Sequence, residues 1–466
     1  MTTASKTYQL NKLESKVTPK ISQPKKINWG HLTSISAAIV IIIYIIVYGF
    51  VQAKGFTFGQ FHFSYLVILI PILTIDSLKN FIESFIPGTF FVGKEKTKDI
   101  TVVIASKNGS TVLKQTIEDL LKRFPPENII ISSNASTDGT TAIAARYGVQ
   151  FLNFKEPLGK VRAINYALSH VETPYTLIMD DDTLIKNAVL PTEALDEGYE
   201  AVAFRVLPIR RGWLSRLQTH EYRKSCDIGK RYHNKRASVQ NISGAIGLFK
   251  TKELTRQIKL HTGEFSGEDL QRTLLIHLST QSKGVVLGKS LIYTEVPATI
   301  PALFKQRIYG WYPGLYANFF NYAKILVKTQ APIRLRFDAF YNCVLVMMMD
   351  IFRFVALPII IFFPWYFIIM YGIYLILETI PYLIMGSNEP YWIILIYPFY
   401  GIFGLITRLI AFGVFCYRRI TVHLARRKFL DDFSNCPSWA QAGGYMLTVL
   451  LFIMFTASWI LYYIYK

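Results

Sequence analysis

Cysteine is scarce in this chain. Its four copies among 466 residues, Cys226, Cys343, Cys416 and Cys436, show no CxxC spacing. That scatter supports neither a zinc site nor a disulfide framework. Negative charge is also short: 31 Asp and Glu stand against 51 Lys and Arg, a formal net charge of +20. The excess favours anionic partners, which are nucleic acid, phosphate-bearing substrates or lipid headgroups. No RNA- or DNA-binding motif is present, so phosphates and membrane lipids are the partners expected and nucleic acid is not. Charged residues make up only 18% of the chain, whereas 51% is hydrophobic. That balance turns attention to long apolar runs.

Residues 1–30 are polar, carry six Lys and read as a disordered basic cytosolic tail. No small-residue cleavage site follows the next apolar run, so a signal peptide is not expected. Residues 31–92 predict two transmembrane helices: SISAAIVIIIYIIVYGFVQA at 34–53, then an apolar segment from about His62 to Leu78. Lysines crowd the N-terminal side and charge resumes at Lys94, which places both the tail and the next domain in the cytosol. At the other end, spans are predicted near 355–378, 391–415 and 443–464, after a stretch at 316–354 read as interfacial amphipathic helices. A basic loop at about 417–440 holds Arg418, Arg419, Arg426, Arg427 and Lys428 and is expected in the cytosol. That placement requires an even number of crossings before it, which fits only if 337–354 does not span.

Residues 93–315 differ in character. Short β-rich runs alternate with helical ones: DITVVIAS, VLKQTIEDLLKRF, NIIISS, TDGTTAIAARYG, VQFLNF. Such alternation predicts βαβ units and a mostly parallel sheet.

Four segments carry chemistry. In YTLIMDDDTLI (Tyr175–Ile185) an apolar strand runs into Asp180, Asp181 and Asp182. Alternation lets Asp180 and Asp182 face one site while Asp181 faces elsewhere. Three adjacent carboxylates repel one another unless a cation compensates, and hard oxygens suit Mg²⁺ or Mn²⁺; a solvated acidic turn has the same composition. In GKVRAINYA, Lys160, Arg162 and Asn165 follow Gly159 at a helix start, either facing phosphate or decorating a solvated face. In FSGEDLQRT, Glu268 and Asp269 open a helical run, where either could act as general base or merely answer the helix dipole. In KQRIYGWYPG, Gln306, Arg307 and Trp311 precede the membrane-facing segment. Arg can pair with diphosphate and Trp can cover a sugar ring, though Trp also anchors interfaces.

Taken in this order, the four segments resemble the processive family-2 glycosyltransferases, the group of hyaluronan, chitin and cellulose synthases. GKVRAINYA is similar to that family's GKAxAxN, DDDT to its DxD, SGEDLQRT to its TED or GDD, and NISGAIGLFK to the SG segment of hyaluronan synthases. The resemblance implies a Rossmann-like GT-A domain set between transmembrane and interfacial helices. It implies an inverting, metal-dependent transfer from a nucleotide-sugar, a UDP-sugar by preference, to a β-linked polysaccharide that crosses the membrane. Asp269 is then the base. Ser106, Asn134, Lys160, Asn165, Asp180 and Asp181 line the donor, and Asp182 holds Mn²⁺ or Mg²⁺. Gly244, Glu268, Gln306, Arg307 and Trp311 lie along acceptor and diphosphate. The resemblance also implies a multi-pass plasma-membrane protein with its catalytic domain in the cytosol.

Three departures from the family pattern stand out. DDGSTDGT reads SNASTDGT here, so Ser133 and Asn134 replace two acids, one of which contacts uracil in the family. Asn134 retains an acceptor but adds an amide donor. QxxRW reads QRIYGW, and the late cytosolic loop has no WGTR. The last point counts against hyaluronan and chitin as products. Two other readings stay open: transfer of one sugar to a lipid acceptor, such as polyprenyl phosphate or a glycolipid, and a transporter or scaffold that only binds nucleotide-sugars. The basic segment 210–236, with nine Lys and Arg, suits either headgroups or solvent, and the sequons at Asn108, Asn134 and Asn241 carry no glycan in a cytosolic domain.

Overall fold

The computed structural model describes residues 21–22, 55–58, 61–64, 66–156, 159–261, 267–279, 282–342, 350, 353 and 364–425. The expected span at 34–53, the span at 443–464 and most of the basic loop lie outside these residues, as does nearly all of the 1–30 tail.

The α/β expectation for the central region holds. Its main strands are β1 (Ile100–Ser106), β2 (Ile129–Ser133), β3 (Gln150–Asn153), β4 (Tyr175–Met179), β5 (Ala201–Pro208), β6 (Ile246–Lys250) and β7 (Val285–Thr294). They lie in the order β3-β2-β1-β4-β6-β5-β7. All neighbours pair in parallel except β6, which is antiparallel to both β4 and β5. A mostly parallel sheet must be covered on both faces. Alternation along β1 does this: Val102 and Ile104 pack with Leu113, Ile117 and Leu120 of helix α1 (Leu113–Leu120). Val103 points the other way, to Val161, Ile164 and Leu168 of α2 (Lys160–Leu168). Ligands in such sheets sit beyond the carboxyl ends of the strands. Here those ends are Ser106, Ser133 and Met179, immediately followed by the residues singled out above.

Outside the sheet, the second apolar segment is a helix at Leu66–Phe85, later and longer than the apolar run suggested. It packs through Ile70, Leu73 and Phe81 against Met370, Ile373 and Leu377 of a helix at Pro364–Ile384. Among the described residues two helices are long and apolar enough to cross a membrane, Phe367–Ile384 and Trp392–Tyr417. The latter continues as helix to Ala425, into the stretch read as the start of the basic loop. Between the domain and these helices, Phe319–Val327 and Ile333–Phe340 leave Phe320, Val327 and Ile333 about three-quarters exposed (74%, 73% and 75%). Large apolar side chains left bare together mark a contact surface.

Candidate active site

The sheet edge sorts the three aspartates. Ser106 Oγ, at the end of β1, donates to Asp181 Oδ2 at 2.5 Å. The approach depends on Gly109, where a Cβ would lie 2.3 Å from that oxygen and 2.5 Å from Ser106 Oγ. Asp180 instead takes Lys160 Nζ at 2.6 Å, and Asp182 Oδ1 accepts from Thr294 Oγ1 at 2.9 Å, at the end of β7. Desolvation raises the pKa of all three, and the charge of Asp180 adds to it at Asp182, which is pushed up to about 7. Crowded carboxyls that resist ionisation together are a ready site for a divalent cation. Oxygen donors of this kind suit Mn²⁺ or Mg²⁺.

Lys160 ties this edge to the second acidic pair. Its Nζ also lies 2.6 Å from Glu268 Oε1. Glu268 opens helix α3 (Glu268–Leu278) after Gly267, whose φ of +95° suits glycine. A Cβ at Gly267 would also stand 2.9 Å from Gly314 Cα, so this turn presses on the helix that follows Trp311. Burial opposes the charge of Glu268, but Lys160 and Arg272 outweigh it and hold its pKa below the usual range. Asp269 goes the other way: desolvation, then the negative charge of Glu268, push its pKa up. Its Oδ2 accepts from the Gly244 amide at 2.9 Å, and its Oδ1 from the Leu270 amide at 2.8 Å. One carboxylate kept ionised beside one made basic is the arrangement general-base catalysis needs.

Asn134 is buried between two loops. Its backbone N–H donates to the Ser106 carbonyl at 2.8 Å, and its side-chain Oδ1 accepts from the Gly159 backbone N–H at 3.1 Å. The side-chain acceptor thus holds the turn before Lys160. Asn165 is exposed on α2, roughly 140° round the helix from Lys160, and is not brought to the acidic cluster. Gln306, Arg307 and Trp311 lie on one π-helical turn, Gln306–Trp311. Arg307 is buried, with Nη2 2.5 Å from Glu221 Oε2 and 3.1 Å from the Tyr400 hydroxyl, and its guanidinium lies 3.6 Å from the Trp311 ring centroid. Tyr222 lies beside Trp311, ring centroids 5.9 Å apart, and its hydroxyl, raised by burial, feels Arg307, Glu221 and Asp182.

Sequence reasoning assigned no role to Thr294, Glu221, Tyr222 or Arg272. Only Arg272 had a local signal, four residues after Glu268 on the same helix face. A separate group of donor atoms, Glu83, His233 and Asp338, comes within 4.8 Å on other elements. Lys79 is there already, 2.6 Å from Glu83 and 3.4 Å from Asp338, so a cation balances these acids without a metal.

Residues 101–254 match the Glycosyl transferase family 2 model. This stretch is a glycosyltransferase family 2 domain. The match runs from β1 through β6 and stops short of Glu268 and Asp269, which the fold brings back beside it. The chain is similar to the poly-β-1,6-N-acetyl-D-glucosamine synthase of Staphylococcus epidermidis, 25% identical over 224 residues, covering 46% of this chain and 54% of that protein. It is 24% identical over 247 residues to the synthase of the same name from Staphylococcus aureus strain COL, covering 50% and 59%. The chain thus spans about half the length of the curated relatives it matches. Among solved structures it is similar to the mannosyltransferase PcManGT from Pyrobaculum calidifontis in complex with GDP-Man and Mn²⁺, with 15% identity, TM-score 0.49, and 74% and 97% of the two chains covered. It is also similar to S. aureus TarS 1-349 in complex with UDP-GlcNAc, with 15% identity, TM-score 0.38, and 67% and 90% covered.

Proposed function

We propose that this protein is an inverting, metal-dependent glycosyltransferase that extends a β-linked polysaccharide from a UDP-sugar and passes it across the membrane. The observation that carries this reading is Lys160, which joins the DDD edge to the Glu268–Asp269 pair with two contacts of 2.6 Å. A donor diphosphate at the strand ends and an acceptor hydroxyl at Asp269 would then lie side by side.

The chemistry follows from charge. The acceptor hydroxyl attacks the anomeric carbon opposite the leaving group, and its proton passes to Asp269, whose raised pKa makes it an effective base. The new glycosidic bond forms as the bond to the nucleoside diphosphate breaks, so configuration inverts. Asp182 would hold a divalent cation, which would supply charge neutralisation at the diphosphate. Lys160 adds a further positive charge on the donor side, and Ser106 fixes Asp181 away from it.

Polymer extension is favoured over a single transfer by the space beyond Arg307. A cavity of about 880 Å³ leads from Glu221, Arg307 and Tyr400 to Tyr374, Tyr397 and Phe399 among the apolar helices. Aromatic faces and hydroxyls suit a sugar chain. The similarity to poly-β-1,6-N-acetyl-D-glucosamine synthases makes UDP-N-acetylglucosamine the first donor to offer. On this reading the domain faces the cytosol and the protein spans the plasma membrane several times.

Product analysis tests the proposal. Purified protein in nanodiscs with Mn²⁺ or Mg²⁺ is given radiolabelled UDP- and GDP-sugars, with Asp269→Asn as control. A long polymer from one donor, absent in the control, is the expected result. A short, lipid-extractable product transfers the reading to a lipid acceptor, and no turnover of any donor overturns it.

A further inference from the structure

Among the described residues, two of the three guanidinium nitrogens of Arg272 have no hydrogen-bond partner. It lies three residues after Asp269 and four after Glu268, so all three share one side of α3. Its side chain is 4% exposed, and its guanidinium lies 5.5 Å from the Phe249 ring centroid. The two nitrogens, Nε and Nη2, are buried without a hydrogen-bond partner among the described residues. Leaving donors of a buried cation unpaired is costly.

The charges around it are those of the candidate active site. Glu268 and Asp269 face it from its own helix and Asp180 from the end of β4. His261 also feels it; burial and Arg272 push that imidazole down to about 4, so it stays neutral. The other cation of the cluster, Lys160, is one-third exposed and pairs with Asp180 and Glu268 at once. An arriving diphosphate competes for Lys160. It cannot reach Arg272, which lies beneath the surface.

We propose that Arg272 is a positioning residue, a fixed buried cation that keeps the Glu268–Asp269 pair ionised while Lys160 turns to the donor. This inference rests on the reading of Asp269 as the base. The Phe249 ring holds the guanidinium in place without neutralising it. Its unpaired N–H groups leave the charge directed at the acids and not spent on one of them.

The test is infrared titration of carboxyl groups in the full chain, because it reads protonation without turnover. The upper titration of the Glu268–Asp269 pair is the one that Asp269→Asn removes. Arg272→Met and Arg272→Gln are both expected to raise it by about one pH unit, and Arg272→Lys to restore it. Two uncharged variants guard against one that fails to fold. An unmoved titration in whichever uncharged variant folds overturns the proposal, as does a Lys variant that behaves like Gln. Product formed by the wild type with no shift in the variants sinks this inference alone. A shift with no product from any donor sinks the transferase reading and leaves the electrostatic role of Arg272 standing.

Discussion

The Gly244 amide donates to Asp269 Oδ2 at 2.9 Å and so joins the NISG turn to the helix that carries the candidate base. With the Leu270 amide on Oδ1, each carboxylate oxygen is held once and keeps lone pairs free. Geometry of this kind aims a base and does not consume it. Asp269→Asn is therefore expected to lower transfer by roughly 10²–10⁴-fold, the usual worth of a positioned general base. Donor binding, followed by calorimetry with the UDP-sugar, stays within twofold. Loss of binding and turnover together would instead make Asp269 a donor ligand.

The raised pKa of Asp269 predicts the shape of the pH profile. Desolvation and the neighbouring Glu268 charge disfavour its ionised form. The active form is the ionised one, so the rate falls on acidification, and it does so above the roughly 4 at which an unperturbed aspartate titrates. Initial rates at saturating donor measure this. A rate that is flat down to about pH 4 contradicts the assignment.

The sheet was legible because its strands are continuous β-branched runs with polar turns between them. β1, β2, β3 and β4 fall within DITVVIAS, NIIISS, VQFLNF and YTLIM almost residue for residue. That β6 runs antiparallel was not legible, since strand direction depends on which neighbour is met and not on composition. The acidic residues announced themselves by being adjacent in the chain. Their partners did not: Lys160 meets Glu268 across 108 residues of chain (268 − 160), and Arg307 meets Glu221 across 86. Glu221 lies in a basic segment that reads as a surface for headgroups or solvent, and only the fold turns it toward Arg307. Asn165, matched by spacing, is exposed on its helix.

Asp182 predicts how a divalent ion and a proton compete. Its carboxyl is pushed up to about 7 by desolvation and by Asp180. A metal ligand must be deprotonated, so affinity for Mn²⁺ is expected to rise with pH through that region. Electron paramagnetic resonance of free Mn²⁺ at several pH values follows it. Asp182→Asn removes both the binding and its pH dependence, and chelation of the wild type abolishes transfer. Unchanged Mn²⁺ binding in Asp182→Asn would move the metal site to other residues.

Gly109 offers a test of the donor edge that touches no charge. A Cβ there would stand 2.3 Å from Asp181 Oδ2, far inside contact distance, and the carboxylate or the loop must shift. Gly109→Ala is expected to raise KM for the donor several-fold, with a smaller change in kcat and an unchanged response to acceptor. Small-to-large changes in packed sites cost about 1–3 kcal/mol, so a modest fall in Tm accompanies it. Wild-type donor affinity in this variant would show that Asp181 is free to move.

The domain is fastened to the apolar helices by a buried charge. Glu378 is fully buried on the helix Pro364–Ile384, and both its oxygens lie 2.9 Å from Lys224 Nζ. Ser77 donates to it at 2.8 Å, and His220 Nε2 lies 3.4 Å away. Lys224 belongs to the same helical run as Glu221 and Tyr222, so this contact sets how the Arg307 side of the site sits over the cavity. Removing one member leaves the other charge buried and unpaired, at a cost of about 3–5 kcal/mol. Lys224→Met and Glu378→Met are each expected to lower the unfolding midpoint in detergent markedly. The double variant recovers most of the loss, because two apolar side chains replace the pair without stranding a charge. If the double variant falls as far as the sum of the singles, the two residues act independently and the fastening lies elsewhere. If stability recovers in the double variant while polymer length shortens, the contact holds the domain in register with the cavity beyond Arg307.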